Sequence, residues 1–267
     1  MEDTTTSKLT QFFRAVRLLL HIISGLAQSA VYPHLSQSAQ GRMARNWSAI
    51  LLKILCIRLR YSGVVPAAEM KQVMLAANHV SWLDVYSLNA VCPARFVAKS
   101  EIRGWPLLGW LSQNAGTLFI ERTKRSDTAR INTDIGNALV MGDRVAVFPE
   151  GTTSDGTMLR HFHASLLQPA VTVAAVLCPI AIRYTDVTGM ISKSAAFANI
   201  SMLESLRLIL REPWIDVELI FTEPIHSKGK NRRELARYAE HAIASALFLP
   251  LPHKTPGRPF DLPAEPR

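Results

Sequence analysis

The chain lacks any CxxC pair: its three cysteines, Cys56, Cys92 and Cys178, are scattered, which excludes a cysteine-based zinc site and a disulfide framework and fits a reducing, cytosol-facing compartment. Aromatic residues make up only 7% and are not interleaved with the basic ones, so the stacking platforms of a nucleic-acid reader are missing and no nucleic-acid partner is expected. GxGxxG, GxxxxGK[ST], GxSxG and HExxH are absent, which removes the usual support for dinucleotide, P-loop, hydrolase-elbow and zinc-protease chemistry. No short apolar run leads into a small-residue cleavage site, so a signal peptide is not expected. Acidic residues are also scarce, 21 against 30 basic ones, and the resulting net charge of +9 points to an anionic surface or substrate.

What is present is enough apolar residue, 48% of 267, to bury a substantial core. The positive charge is concentrated at the start, where residues 1–60 carry eight basic side chains and two acidic ones, Glu2 and Asp3. The same region holds two apolar segments, Phe12 to Leu35 and Met43 to Leu59. Arg14, Arg17, His21, Gln28 and Pro33 interrupt the first, so it falls short of a clean span of about 20 apolar residues. A single shallow crossing stays open. In the second, Met43, Trp47, Ile50, Leu51, Ile54 and Leu55 form one helical stripe with Arg42, Arg45 and Lys53 on other faces, the pattern of an interfacial helix on anionic headgroups.

From about residue 70 short apolar runs alternate with helical stretches, which predicts an α/β domain. Strands are expected at Val73–Ala77, Arg95–Ala98, Thr117–Glu121, Val145–Phe148, Val173–Ile182 and Asp216–Thr222. Helices are expected at Trp82–Val91, Pro106–Gln113, Asp127–Met141, Met202–Leu210 and Arg232–Leu247. The domain reading is 1–65 membrane-associating helices, 66–248 a catalytic domain, and 249–267 a Pro-rich unpacked tail.

Three segments could carry chemistry. Asn78-His79-Val80-Ser81-Trp82-Leu83-Asp84 follows the strand Val73–Ala77; on one continuous helix His79 and Asp84 would point about 140° apart. With His79 in a turn and Asp84 in the first helical turn, the carboxylate can hold one imidazole nitrogen and leave the other as a general base. Ser81-x-x-Asp84 also fits a helix-capping pattern, which needs no catalysis. Phe148-Pro149-Glu150-Gly151-Thr152-Thr153-Ser154 ends a strand in a turn whose amides and hydroxyls could hold a polar or anionic headgroup, with Glu150 orienting a donor; a plain surface turn is the alternative. Gly116 to Arg122 delivers Arg122 at a strand end as an anion clamp, and Lys99 invites the same reading. His161 and His163 flank Phe162 without a third ligand, so no metal site is expected.

In order and spacing these segments resemble the four motifs of the 1-acyl-glycerol-3-phosphate acyltransferase family, the lysophospholipid acyltransferases. Asn78-His79 through Asp84 resembles the NHx4D motif; Gly116, Phe119, Ile120 and Arg122 the second; Phe148-Pro149-Glu150-Gly151 the third; and Val176 to Ile182, centred on Pro179, the fourth. The likeness covers about residues 70 to 225. It implies a glycerolipid-acyltransferase-like mixed sheet flanked by helices, behind an amphipathic two-helix membrane-binding segment. It also implies that His79 deprotonates an acceptor hydroxyl which attacks a fatty acyl thioester directly, with Asp84 orienting His79. Lys99, Arg122 and the Glu150-Gly151-Thr152 turn would bind the headgroup. No cofactor is implied; acyl carrier protein or coenzyme A brings the acyl group as co-substrate. The implied location is the cytoplasmic face of a bacterial inner membrane.

Two departures bear on the acceptor. Thr153 stands where phosphatidic-acid-forming members carry Arg after Gly-Thr, and His163 stands in place of a Lys after Phe162. Both remove a fixed positive charge. The resemblance puts lysophosphatidic acid first as acceptor and lyso-ornithine lipid second, with a non-catalytic lipid-binding homologue or a thioesterase as readings from other classes.

Overall fold

The computed structural model describes residues 5–105, 108–121 and 125–252. Two N-terminal helices, α1 (Lys8–Val31) and α2 (Gln37–Ile54), lead into strand β1 (Ile57–Gly63). Each helix is started by a serine, Ser7 or Ser36, whose hydroxyl accepts an N–H of the first turn. Next come β2 (Val73–Ala77), α3 (Leu83–Val91), β3 (Arg95–Lys99), α4 (Leu108–Asn114), β4 (Leu118–Ile120), α5 (Arg125–Val140) and β5 (Val145–Val147). The chain then runs through α6 (Gln168–Thr172), β6 (Val176–Thr185), α7 (Met202–Arg211), β7 (Ile215–Phe221), β8 (Ile225–His226) and α8 (Arg232–Leu247).

The strands form one mixed sheet in the order β1, β7, β6, β2, β5, β3, β4, with β8 beside β6. Strands β6, β2, β5, β3 and β4 are mutually parallel, so their carboxyl ends lie along one edge; β7 runs against β6, and β1 follows β7. All five residues of β2 are buried, as a central strand covered on both faces requires. Its odd residues, Val73, Leu75 and Ala77, join the core that includes Leu51, Leu83, Leu88 and Ile209 from α2, α3 and α7. Its even ones, Met74 and Ala76, join the core with Ile131, Ile135, Leu235 and Ile243 from α5 and α8. The period-two alternation of one strand thus glues two helical layers.

Three expectations need correction. The apolar segment Met43 to Leu59 is not one helix: α2 stops at Ile54, Cys56 takes a left-handed turn at φ 56°, and Ile57 starts β1. Leu55, Ile57 and Leu59 alternate at period two, but they also prolong the helical stripe at Leu51 and Ile54, so the pattern reads both ways. Consequently the span 1–65 holds a strand of the sheet as well as two helices. Finally, the expected strand Val173–Ile182 begins only at Val176, after the short helix α6, and runs on to Thr185. The end of the expected tail, residues 253–267, lies outside the described residues.

Helix α1 is turned inside out. Its buried side is Arg14, Leu18, His21, Gly25 and Ser29, while Leu9, Phe12, Phe13, Val16, Leu19, Leu20 and Ile23 are exposed. Arg14 donates to the carbonyls of Leu210, Glu212 and Pro213 at and just beyond the end of α7, and His21 bonds the Trp47 carbonyl at 2.9 Å and stacks on its ring. Gly25 is required there, because a Cβ would come within 2.7 Å of the Trp47 indole. Lys8–His34 is long and apolar enough to cross a bilayer.

Candidate active site

Strand β2 ends where its apolar run gives way to Asn78, whose side chain behaves like one more rung of the sheet. Asn78 Oδ1 accepts the Ile182 N–H at 2.7 Å and Nδ2 donates to the Ile182 carbonyl at 3.0 Å. That clamp fixes where His79 leaves the sheet. The next residues turn, and α3 begins at Leu83, so Asp84 lies in its first turn with its carboxylate aimed back at the chain that precedes it.

His79 Nδ1 lies 2.8 Å from Asp84 Oδ2. The same oxygen accepts the backbone N–H of Val80 at 2.8 Å and of Ser81 at 3.0 Å, so Asp84 fastens the turn that leads into α3 and holds the imidazole at once. Ser81 Oγ accepts the Leu83 N–H at 3.3 Å, but the N-cap residue of α3 is Trp82, which makes no side-chain capping bond. Asp84 is fully buried, whereas the His79 side chain is 21% exposed. With Nδ1 turned to the Asp84 carboxylate, Nε2 is the imidazole nitrogen that remains to act as a base. Phe148 stacks on the imidazole, centroids 4.0 Å apart and planes within 10°, which fixes the ring plane.

The turn after β5 (Val145–Val147) braces the same loop. Glu150 Oε1 accepts the His79 N–H at 2.9 Å and Oε2 the Arg160 N–H at 3.2 Å, while the Ser154 N–H donates to the His79 carbonyl at 2.8 Å. Both backbone groups of His79 are thereby held by one turn. Glu150 is 3% exposed, and burial, with Asp84 nearby, pushes its carboxyl up to about 7 against the pull of the two N–H donors. The Glu150 oxygens thus serve His79 and Arg160 in this structure. Gly151 follows with a left-handed φ of 76°, and Thr152 is exposed beside it. Thr153 is turned inward, its hydroxyl donating to the Phe197 carbonyl, and the Phe197 N–H donates to the Val80 carbonyl at 2.9 Å.

Lys99 is the exposed last residue of β3, at the same sheet edge as His79. Arg122 lies outside the described residues; β4, which leads to it, ends at Ile120 on that edge. His161 pairs with the buried Glu240 at 2.9 Å. One residue that local pattern could not reveal joins the site: Tyr184, two residues beyond the Asn78 clamp on β6, donates its hydroxyl to Asp84 Oδ1 at 2.8 Å.

A carboxylate-supported imidazole at the carboxyl ends of parallel strands is the arrangement of an α/β enzyme working by general base chemistry. Comparison with known proteins makes the class specific. A sequence model described as Acyltransferase matches residues 58–183. The chain is 38% identical over 251 residues to a lyso-ornithine lipid O-acyltransferase of Pseudomonas aeruginosa, covering 91% of this chain and 95% of that protein. It is 40% identical over 157 residues to a 1-acyl-sn-glycerol-3-phosphate acyltransferase of Neisseria gonorrhoeae, covering 58% of this chain and 62% of that one. In fold it is similar to the crystal structure of the 1-acyl-sn-glycerophosphate acyltransferase PlsC from Thermotoga maritima, with a TM-score of 0.63 and 20% identity over 88% of this chain and 96% of the other. The chain belongs to the acyltransferase family and is an acyltransferase enzyme.

Proposed function

We propose that the protein transfers a fatty acyl group from a thioester of acyl carrier protein or coenzyme A to the free hydroxyl of a lysolipid, and that lyso-ornithine lipid is its acceptor. The observation that carries the reaction is the His79–Asp84 pair at 2.8 Å, with the imidazole clamped by Phe148 and both backbone groups of His79 bonded. In the step, His79 Nε2 takes the hydroxyl proton as the oxygen attacks the thioester carbonyl. The tetrahedral intermediate collapses with cleavage of the C–S bond, and the imidazolium returns the proton to the departing thiolate. Asp84 stabilises the imidazolium in between. No covalent acyl-enzyme is needed.

Two observations favour lyso-ornithine lipid. The likeness to the Pseudomonas protein runs over nearly the whole chain, and Thr153, in place of a cation, bonds the Phe197 carbonyl rather than pointing a charge at a phosphate. The Neisseria likeness, higher in identity but confined to 58% of the chain, supports phosphatidic-acid formation as the second reading. Lys99, Arg122, Gly151 and Thr152 are assigned to the acceptor headgroup, at the edge where the parallel strands end. The outward face of α1 supports a monotopic seat on the cytoplasmic face of a bacterial inner membrane, which delivers the lysolipid to that edge.

The test is acyl transfer by purified enzyme and its His79→Ala variant, with one labelled thioester and both lysolipids offered in parallel. His79-dependent acylation of lyso-ornithine lipid is expected. Selective formation of phosphatidic acid overturns the acceptor assignment, free fatty acid alone overturns transfer in favour of hydrolysis, and an active His79→Ala enzyme overturns the base.

A further inference from the structure

The catalytic loop is fastened to β6 at a second point besides Asn78. Residues of β6 alternate sides, so Tyr184, two beyond Ile182, points to the same face of the sheet, where α3 packs. Its hydroxyl donates to Asp84 Oδ1 at 2.8 Å, the oxygen opposite the one that holds His79. Tyr184 is 2% exposed, Asp84 is fully buried, and Ser87 on the next turn of α3 lies 3.4 Å from the phenol oxygen. Asp84 is thus gripped on both oxygens. The His79 imidazole, two backbone amides and the Tyr184 phenol all donate to it, and no cation neutralises it among the contacts of the described residues.

We propose that Tyr184 is a positioning residue of the transfer reaction: its phenol holds the Asp84 carboxylate in place as an anion and so sets the basicity of His79. The proposal rests on His79 being the general base.

The sign of its effect follows from the proton count. The working dyad is neutral imidazole with carboxylate, and the inactive form carries one more proton. A donor on Oδ1 stabilises the carboxylate and disfavours that extra proton, whichever atom takes it. Removing the phenol raises the apparent pKa of the acid limb of the rate profile; strengthening it as a donor lowers the limb. Glu150 is the other titratable group at the loop; it faces His79 through the backbone N–H, and Arg160 lies on its far oxygen. Glu150 bonds the His79 and Arg160 amides rather than Tyr184, and it feels Asp84 only through space. Burial and the neighbouring Asp84 push the phenol itself well above its usual range, so Tyr184 stays a donor through the working pH.

The experiment compares pH profiles of kcat for wild type, Tyr184→Phe and protein carrying 3-fluorotyrosine at 184, in detergent micelles. Tyr184→Phe is expected to lower kcat about tenfold and move the acid limb up by about one pH unit, with KM for the lysolipid unchanged. The fluorinated phenol, a stronger donor of nearly the same size, is expected to move the limb the other way. In an Asp84→Asn background Tyr184→Phe is expected to cost nothing further. If the limb stays put and activity merely follows thermal stability, Tyr184 is structural and the proposal fails. Should Tyr184→Phe not fold, the fluorotyrosine shift decides alone. Loss of turnover in His79→Ala alongside an unmoved limb in the Tyr184 variants would refute this proposal while leaving the base assignment intact.

Discussion

Replacing Asp84 by Asn changes one charge and almost no shape, which makes it the sharpest probe of the dyad. The Asn carbonyl can sit where Oδ2 now sits, keeping the Val80 and Ser81 N–H bonds, and the amide can face Tyr184, whose hydroxyl turns to accept. The fold is therefore retained, and what disappears is the anion beside the imidazolium formed during transfer. With charge centres about 4 Å apart and an effective dielectric of about 20, that attraction is worth ~4 kcal/mol, or about a thousandfold in rate. The effect is expected in kcat, because the fully buried carboxylate touches no substrate, and KM for the lysolipid should hold. The assay is thiol release from an acyl thioester in mixed micelles with lysolipid, alongside circular dichroism and a melting curve. Asp84→Asn activity within tenfold of wild type, in protein that melts normally, would sink the electrostatic argument.

Two further outcomes follow from other parts of the structure. Glu150 has a folded value of about 7 against 4.5 for an ordinary glutamate, so the folded state holds its proton more tightly than the unfolded chain does. Its stabilising effect is complete below about pH 4.5 and is lost as pH rises to about 7, a change of roughly 3 kcal/mol. Melting temperature measured between pH 4.5 and 8 should fall accordingly, and Glu150→Gln should flatten that component; an unchanged pH difference in the variant refutes it. On α1, Phe12, Phe13 and Leu20 are 61%, 57% and 60% exposed, so changing all three to Glu should leave the melting temperature nearly unchanged. The same change should abolish flotation with anionic vesicles, and unimpaired flotation would show that the face does not meet lipid.

The turn that joins His79 to Asp84 was legible because each of its determinants is local. The short, fully apolar run Val73–Ala77, bounded by polar residues, fits a buried central strand, and the polar run after it fits the loop at that strand's carboxyl end. Five residues from His79 to Asp84 then close a turn onto the first turn of α3, and the observed 2.8 Å contact is what that spacing permits. Tyr184 was not legible, since its partner lies 100 residues away and the phenol reads as one more buried aromatic of a strand. The use of Glu150 was half legible: the turn and its position were readable, but both carboxylate oxygens are engaged by backbone amides, which carry no sequence signal. Strand β1 was hidden by a real degeneracy, since Leu55, Ile57 and Leu59 satisfy period two while still prolonging the helical stripe of α2.

Helix α1 shows where periodicity stops. Phe12 to Leu35 was readable as an interrupted apolar segment, yet apolar content does not say which side faces the protein. The structure puts the polar side inward, where Arg14 finds three carbonyls and His21 one, and leaves Leu9, Phe12, Phe13, Val16, Leu19, Leu20 and Ile23 outside. A helix packed for stability in water would do the reverse, because covering such a row is worth on the order of 10 kcal/mol. The inward polar groups make the inversion specific rather than a failure of packing: their partners are carbonyls at the end of α7, just beyond it and in α2. From there the contacts run on to the site. Trp47 of α2 meets Tyr86 of α3, Tyr86 meets Trp82, and Trp82 lies two residues before Asp84. The apolar face is therefore linked through packed rings to Asp84, the carboxylate proposed to support the base, so whatever covers α1 is held near His79. On the proposed reading, with His79 the base and a lysolipid the acceptor, that placement would let the base meet a hydroxyl at the depth of the headgroups.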